Sequence, residues 1–448
     1  MKRKKVRIIG FIAISLVLII FVFYRLFVNQ IVLSAVNNYF QKTLASSVSA
    51  VSCNFSIFSL RFSMAQPVVC ALGKDPGHAF LKAEAMAIQV TPDLILGKKI
   101  HFGHILFFKP RVLVEILKDG SNNLPILKQT PGTPAIPEFI VQQLSFKEMK
   151  FSFRDETKRL TILSPLLNVE MRSNGNSDHQ LSIDSLGKGE LFFNGSRRAI
   201  NKLQMNGLIN YQRLLIAKSL IQIEKSNLDI SGILNNWLAA QLNLQVKGNI
   251  FPGEFADLLP PGNVNHELAC LGPLRFGLQL FQDQNIVEIK EIHASALAGE
   301  ILGHAVFPRR TEKNPNHLSL KWKDLDFSLI KGILPIKFFS YGSGNADVSF
   351  SDFKVSEIKG SLNAQFKPKA LGPQNQEGVP LAGDVKLNFL QGTIIVKKAS
   401  LQSQGNRFKG ELKVEEDRVS GFINGKIDHL RGILLFLSPF NDSFRLLA

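Results

Sequence analysis

The side chains that could bind a metal are scattered along this sequence. The chain has nine histidines, and His101 and His104 form the nearest pair. On a β-strand, two residues three positions apart point to opposite faces, so this pair cannot converge on one ion. A metal site needs several convergent ligands. We therefore interpret both as isolated surface histidines and predict no metal site and no cofactor.

Candidates for nucleophilic and acid–base catalysis are equally isolated. Ser343 lies between two glycines in Tyr341–Gly344, and the sequence places no histidine or acid to activate its hydroxyl. We predict a flexible turn there. Asp155 and Glu156 are adjacent at the end of a predicted strand, where Asp155 favours a turn role. The sequence has no GxSxG, GxxxxGK[ST] or HExxH motif, so it does not indicate an enzyme.

Two further features each allow two interpretations. Asn194-Gly195-Ser196 fits a glycosylation sequon, but Asn-Gly is also an ordinary hairpin turn. Cys53 and Cys70 could pair in an oxidising compartment, or could serve as small buried apolar residues. Cys270 makes the cysteine count odd, so the three do not form a complete disulfide framework.

The charge of the chain is positive but spread out. The formal net charge is +17. The first 25 positions hold basic residues and no acidic ones, and beyond them no dense Lys/Arg block marks a nucleic-acid site. A diffuse positive field fits anionic lipid headgroups, or solubility alone. We predict no nucleic-acid partner.

The N-terminal segment predicts a signal-anchor transmembrane helix over residues 1–28. Ile8–Tyr24 is uncharged and almost wholly apolar, and the apolar run continues past Arg25. Five basic residues precede it between Lys2 and Arg7, which by the positive-inside rule hold the N-terminus in the cytoplasm. A cleaved signal peptide is the alternative, but the run is long and no clear A-x-A site follows. We predict a single-pass protein whose N-terminus is cytoplasmic and whose bulk lies across the membrane.

The rest of the chain is predicted to be mainly β. After a short helix at 29–44, apolar and polar residues alternate in segments such as Gln241–Lys247, which is typical of a sheet with one apolar and one wet face. The candidate short helices are 212–219, 252–259, 327–334 and 430–437. A loose echo between 220–232, 286–299 and 393–405 suggests stacked repeats, each a strand, a polar break and a second strand.

The Pro-rich stretch 128–138 is predicted to be a linker. It would separate an N-terminal unit at 29–127 from a β-repeat region at 139–448.

One stretch resembles the N-terminal region of the AsmA-like and TamB-like envelope protein family. It runs from Leu81 to Leu124, with Pro110, Gly120 and Asn123 at the places where those proteins have a strand-ending proline and a Gly/Asn-Leu turn. Phe151–Asp155 resembles the next strand and its terminal aspartate. The resemblance covers residues 1–235 well and the remainder as generic β repeats. TamB-like members are longer and carry a characteristic C-terminal domain, which the sequence up to Ala448 does not include, so a short member and a truncated gene both remain open.

The resemblance implies an N-terminal transmembrane helix in the inner (cytoplasmic) membrane, with the bulk of the chain in the periplasm. It also implies that an elongated, twisted antiparallel β-sheet groove with β-taco-like repeats follows that helix. Family members are thought to carry phospholipids between the inner and outer membranes, and some are linked to assembly of outer-membrane β-barrel proteins. The residues agree, because a sheet with one apolar face must cover it with another sheet or with bound acyl chains.

We expect the groove, if lipid-filled, to be lined by inward-facing apolar residues; the alternative is that they form an ordinary core. The predicted lining residues are Val112, Val114, Phe151, Phe153, Leu242, Leu244, Val246, Leu278, Leu280, Leu318, Leu320, Val348, Phe350, Val385, Leu387 and Phe389. The sequence thus favours phospholipid transport and envelope maintenance. An assembly factor that pairs sheet edges with an outer-membrane or secreted β protein is the alternative.

Overall fold

The computed structural model describes most of the chain between residues 46 and 428. The described residues are 30, 33–34, 37–38, 41, 46–56, 59–71, 73, 75–91, 100–125, 139–174, 178–210, 212–236, 241–258, 272–308, 315–329, 338–351, 357–370, 379–390, 392–403, 405–415 and 418–428. The predicted anchor at 1–28, the predicted linker at 128–138, Cys270 and the predicted helix at 430–437 lie outside them. In the part of the chain that is described, no helix is long and apolar enough to cross a membrane.

The described residues are mainly β, which confirms the predicted fold class at that level. The six described positions between 30 and 41 are helical, in agreement with the predicted helix at 29–44. Short 3₁₀ helices occur at Pro76–His78, Pro252–Leu258 and Phe327–Leu329. The chain divides into two compact units, unit 1 at Met1–Asn210 and unit 2 at Tyr211–Ala448.

The strands of unit 1 within the described residues are β1 (Ser46–Ser49), β2 (Ser52–Ser56), β3 (Arg61–Ala65), β4 (Val68–Ala71), β5 (Leu81–Lys82), β6 (Ala85–Val90), β7 (Ile100–Phe108), β8 (Arg111–Ile116), β9 (Phe139–Asp155), β10 (Leu160–Ser173), β11 (His179–Leu186), β12 (Gly189–Phe193) and β13 (Ser196–Ile209).

The long strand β9 organises unit 1. Its first half runs parallel to β7, and its second half runs parallel to β8. β10 then pairs antiparallel with β9, and β11, β12 and β13 continue from β10 by antiparallel pairing. The expected all-antiparallel sheet is therefore wrong at β9, because the long connection after β8 lets the chain return in the same direction. Residues before and after 128–138 lie in the same unit, and the two compact units divide after Asn210.

A small closed core lies in unit 1. Val48, Cys53, Phe62 and Met64 are buried against one another, and Leu33 of the N-terminal helical segment packs against them. That segment is also held by the side chain of Asn37, whose Oδ1 accepts a hydrogen bond of 2.8 Å from the backbone N–H of Val48. Cys53 and Cys70 are both buried and free, so the disulfide alternative is not realised in this structure.

Unit 2 is an antiparallel meander in which each strand pairs with its neighbours in sequence. Its strands within the described residues are β14 (Arg213–Ile223), β15 (Ser226–Asn235), β16 (Gln241–Ile250), β17 (Leu274–Gln282), β18 (Ile286–Ala296), β19 (Gly299–Pro308), β20 (Asn316–Asp326), β21 (Ser340–Phe350), β22 (Lys359–Pro368), β23 (Ala382–Leu390), β24 (Thr393–Ser403), β25 (Asn406–Glu415) and β26 (Arg418–Lys426).

Three strands of unit 2 share one plan. In β14, β18 and β24, four residues are followed by a two-residue bulge, five more residues and a two-residue turn. The bulges are at 217–218, 290–291 and 397–398. The polar break predicted inside 286–299 and 393–405 is therefore a bulge within one strand, whereas the break inside 220–232 is the turn between β14 and β15.

The predicted short helices had mixed outcomes. The segment 252–259 largely coincides with the 3₁₀ helix Pro252–Leu258, and the start of 327–334 coincides with Phe327–Leu329. The helix predicted at 212–219 is wrong, since these residues belong to β14. Because of the bulge at 217–218, Ile216 and Ser219 lie on the same face of the sheet although they are three residues apart. That spacing resembles the period of a helix.

Candidate functional site

One face of unit 2 is formed by uncharged side chains from every strand between β15 and β26. Residues directly opposite each other in an antiparallel pair lie on the same face. The register therefore connects one row of residues across twelve strands: Ile230, Val246, Leu278, Ile292, Gly303, Leu320, Ala346, Leu362, Leu387, Val396, Leu412 and Gly421. We call the side of the sheet that carries this row the apolar face, and the opposite side the outer face.

The structure brings together the predicted lining residues of unit 2. By register, all of them lie on the apolar face: Leu242, Leu244, Val246, Leu278, Leu280, Leu318, Leu320, Val348, Phe350, Val385, Leu387 and Phe389. Phe350 is buried, and the others are half-buried. Side chains shut between two packed sheets would be buried, so this face is only partly covered by protein.

The outer face carries polar side chains where the apolar face carries aliphatic ones. In β16 the exposed residues Gln241, Asn243, Gln245 and Lys247 alternate with the half-buried Leu242, Leu244 and Val246. This two-residue period is what the sequence predicted for the segment, and the exposures confirm the alternation.

Glycines on the apolar face make room for large side chains from β20 and from the 3₁₀ helix that follows it. A Cβ at Gly344 would lie 2.6 Å from Cζ2 of Trp322, and a Cβ at Gly342 would overlap the ring of Phe327. Ser343 between them lies in β21, where its Oγ accepts a 2.9 Å hydrogen bond from the backbone N–H of Asp324. The predicted flexible turn at Tyr341–Gly344 is therefore wrong, because these glycines serve packing within a strand.

A partly buried polar cluster connects strand ends in unit 2. Nζ of Lys369 lies 2.5 Å from Oδ2 of Asp326 and donates to Oγ of Ser328 at 3.0 Å. The Ser328 hydroxyl donates to Oδ1 of Asp326 at 2.5 Å. A serine and a lysine this close could form a nucleophile–base pair. However, Nζ of Lys369 donates to both Asp326 and Ser328, and the Ser328 hydroxyl donates to Asp326, so this geometry does not direct the serine proton to the lysine. The hydrogen bond to Asp326 also raises the pKa of Lys369.

The same cluster favours the ionised form of Asp326. Burial works against ionisation of this carboxyl, but hydrogen bonds from Lys369 and Ser328 outweigh it and lower the pKa of Asp326 below its ordinary value. Close by, the Ser340 hydroxyl donates to the Leu381 carbonyl and accepts from its N–H, each at 2.8 Å. The cluster thus holds the end of β20, the start of β21 and the segments after β22 and before β23.

The four predicted lining residues of unit 1 form a patch of their own. Val112 lies beside Phe151, and Val114 beside Phe153, in the parallel pairing of β8 with β9. All four are half-buried. The patch continues to Ile162, which pairs with Phe153. These residues share a face within unit 1 and are described separately from the apolar face of unit 2.

Sequence reasoning missed a buried carboxylate in unit 1. The Glu115 side chain, only 4% exposed, lies 2.7 Å from Nδ1 of His78 and 3.2 Å from Nη1 of Arg154. Asn123 completes the cluster, since its Oδ1 accepts from the Glu115 N–H and its Nδ2 donates to the Leu113 and His78 carbonyls. In the sequence, Glu115 occupies a polar position of an alternating strand and looks solvent-exposed. Its burial follows from partners that are distant in sequence, which the alternation does not indicate.

The predicted turn at Asp155 is confirmed, and Asn194 lies in a hairpin turn, one of its two interpretations. Oδ1 of Asp155 accepts hydrogen bonds from the backbone N–H groups of Thr157 and Lys158 at 3.0 and 3.1 Å. The hydroxyl hydrogen bond from Thr157 is the main reason that the pKa of Asp155 is lowered. Asn194 and Gly195 have φ of 48° and 88° and connect β12 to β13, as a type I′ hairpin turn requires.

The part of the chain that is described holds no group of three or more His, Cys, Asp or Glu side chains placed to bind a metal ion. His104 instead contacts Oγ of Ser145 at 3.1 Å. The apolar face of unit 2 contains more of the predicted site residues than any other surface described above, and it is the candidate functional site.

No protein-family model and no curated protein matches this chain.

Proposed function

We propose that the protein is anchored in the inner membrane by its N-terminal segment and carries phospholipids through the periplasm along a groove lined by the apolar face of unit 2. One observation carries the proposal. The apolar face runs without a charged side chain through the register row of twelve strands, and nearly all the predicted lining residues on it remain half-buried. The resemblance of Leu81–Leu124 to AsmA-like proteins points in the same direction.

The chemistry of acyl chains suits such a face. Each buried CH₂ group contributes about 0.8 kcal/mol, so a lipid tail lying along several strands is strongly favoured over water. Neighbouring rows offer similar aliphatic contacts, such as Leu244 beside Leu280 and Leu362 beside Leu387. A tail can therefore slide from one row to the next without becoming exposed, while the headgroup stays in water.

Photocrosslinking tests the proposal directly. A photoreactive residue at Leu244 or Leu387 of the full-length protein, expressed in bacterial cells, should capture phospholipid. The matched controls are Gln245 and Lys386, which neighbour them on the outer face and should capture little. Protein adducts without lipid at Leu244 and Leu387 would overturn the proposal.

A charge placed on the apolar face gives a second test. Leu362→Glu should reduce the phospholipid that co-purifies with the protein in native mass spectrometry. An acyl chain on that row would remove water from the new carboxylate, which costs free energy. Asn363→Glu is the matched control on the outer face. Equal lipid content in both variants, with unfolding midpoints showing that both are folded, would argue against the groove.

One observation favours the second candidate function, an assembly factor for an outer-membrane or secreted β protein. Within the described residues, β26 pairs only with β25, so its other edge could accept a strand. Pull-down of an outer-membrane β-barrel protein that is lost when a proline is placed in β26 would support this candidate. Retention of the barrel protein by the proline variant would count against it.

A further inference from the structure

The outer face of unit 2 is strongly basic at its β24–β26 end. β25 and β26 carry Arg407, Lys409, Lys413, Arg418 and Lys426 on this face, opposed by the carboxylates of Glu411 and Glu415. The bulge in β24 adds two more lysines, Lys397 and Lys398. Nζ of Lys398 lies 3.5 Å from Oδ2 of Asp384, and Nζ of Lys426 lies 3.3 Å from Oδ1 of Asp428, so seven basic side chains face four carboxylates here. We call the outer face of β24–β26 the basic end.

This charge is local and does not follow from the basic composition of the whole chain. On the outer face of β15–β19, the basic side chains Lys247, Arg275 and Lys290 are matched by carboxylates at Asp229, Glu288, Glu291 and Glu300. The outer face therefore changes from nearly neutral to strongly positive along the meander.

Exposed apolar side chains lie at the same end. In β26, Val419 and Ile423 are 68% and 65% exposed, and Phe422 is 59% exposed. Val419 and Ile423 lie on the apolar face, in register with Val414 and Gly410, whereas Phe422 lies opposite Glu411 on the outer face. Apolar side chains thus project from both faces of one strand, between Arg418 and Lys426.

We propose that the basic end docks onto an anionic membrane surface. Lysine and arginine near such a surface are attracted by acidic lipid headgroups, and apolar side chains beside them gain by entering the headgroup–acyl boundary. Aliphatic residues such as Val419 and Ile423 would gain nothing from a nucleic acid, which offers phosphates and base stacking. The apolar face also reaches β26 through the pair Leu412 and Gly421, so docking would bring this face to the bilayer.

Vesicle co-flotation tests the proposal with the full-length protein held in neutral-lipid nanodiscs. Vesicles of phosphatidylcholine with phosphatidylglycerol should bind it, pure phosphatidylcholine vesicles should bind weakly, and added salt should reduce binding to the anionic vesicles. The triple variant R407E/K409E/R418E should weaken that binding about tenfold or more.

The matched control reverses three exposed basic residues elsewhere on the outer face, K247E/R275E/K321E, and changes the net charge by the same amount. It should alter binding less than about twofold, since its charges lie away from the docking surface. Equal losses in the two triple variants would mean that only total charge matters and would overturn the proposal. So would unchanged binding in R407E/K409E/R418E, provided that both variants unfold at the same midpoint as the natural chain.

A crosslinker at Phe422 separates a membrane from a protein occupant. Adducts with vesicle lipid support docking, whereas adducts with a second copy of the chain or with a partner protein, formed in place of lipid, overturn it. Docking requires no lipid in the groove, so this experiment and photocrosslinking at Leu244 and Leu387 can fail independently.

Discussion

Nζ of Lys369 lies 2.5 Å from Oδ2 of Asp326, a contact that joins the residue after β22 to the last residue of β20. The Asp326 side chain is 6% exposed, and that of Lys369 is 32% exposed. The contact therefore combines a nearly buried carboxylate with a cation that still reaches water, and it should matter more than a surface ion pair.

The first prediction concerns this pair. Asp326→Asn should lower the free energy of unfolding of unit 2 by about 1–3 kcal/mol, because Lys369 and Ser328 lose their charged acceptor. Hydrogen exchange of the β20–β22 amides in urea would measure the change locally. Lys398→Met is the control, since its 3.5 Å contact with Asp384 is largely exposed and should contribute less than about 1 kcal/mol. Equal effects of the two substitutions would contradict the structural role of the cluster.

The second prediction is a pH dependence. Because the pKa of Asp326 is lower in the folded protein than in the unfolded chain, ionisation of this group stabilises the fold at neutral pH. This contribution should be lost as the pH falls below about 4 and through the folded pKa. Urea midpoints between pH 7 and pH 3 should fall less steeply for Asp326→Asn than for the natural chain. Parallel curves would show that Asp326 does not contribute to the acid response.

The third prediction concerns the glycines of the apolar face. Gly344→Ala should destabilise unit 2 by about 1–3 kcal/mol, since the added methyl group meets the Trp322 ring and the Asn363 carbonyl. Gly277→Ala is a matched control in β17, where the nearest atom to the new Cβ is Cγ of Lys247 at 3.7 Å. That control should be neutral or stabilising by about 0.4–1 kcal/mol. Thermal unfolding of both variants checks the difference, and a tolerated Gly344→Ala would refute the packing argument.

The fourth prediction concerns unit 1. Glu115→Gln should destabilise it by about 1–3 kcal/mol, because the buried side chain loses its charge-assisted contacts with His78 and Arg154. Glu84→Gln is the control, since Glu84 and its partner Lys109 are both exposed at 3.4 Å and should matter by less than about 1 kcal/mol. Protease resistance in urea would rank the two variants. If Glu84→Gln loses as much protease resistance as Glu115→Gln, or more, the buried cluster is not what holds β8 to the 3₁₀ helix at Pro76–His78.

The sequence by itself determined the strands and their two faces. Alternation in Gln241–Lys247 separates apolar from polar side chains with a period of two, and the register puts the predicted lining residues of unit 2 on one face. Local chemistry also determined the turns at Asp155 and Asn194, because a short polar side chain or an Asn-Gly pair stabilises them within a few residues.

Only the tertiary structure decided features that depend on distant partners. The bulge at 217–218 shifts the alternation of β14, so the sequence imitated a helix, and the glycines beside Ser343 are explained by Phe327 and Trp322 packing over them. The parallel pairing of β9 and the burial of Glu115 beside Arg154 likewise depend on residues far apart in sequence. A periodic pattern records which face a side chain takes but not which strand or side chain lies next to it, because pairing and burial are set by the whole sheet.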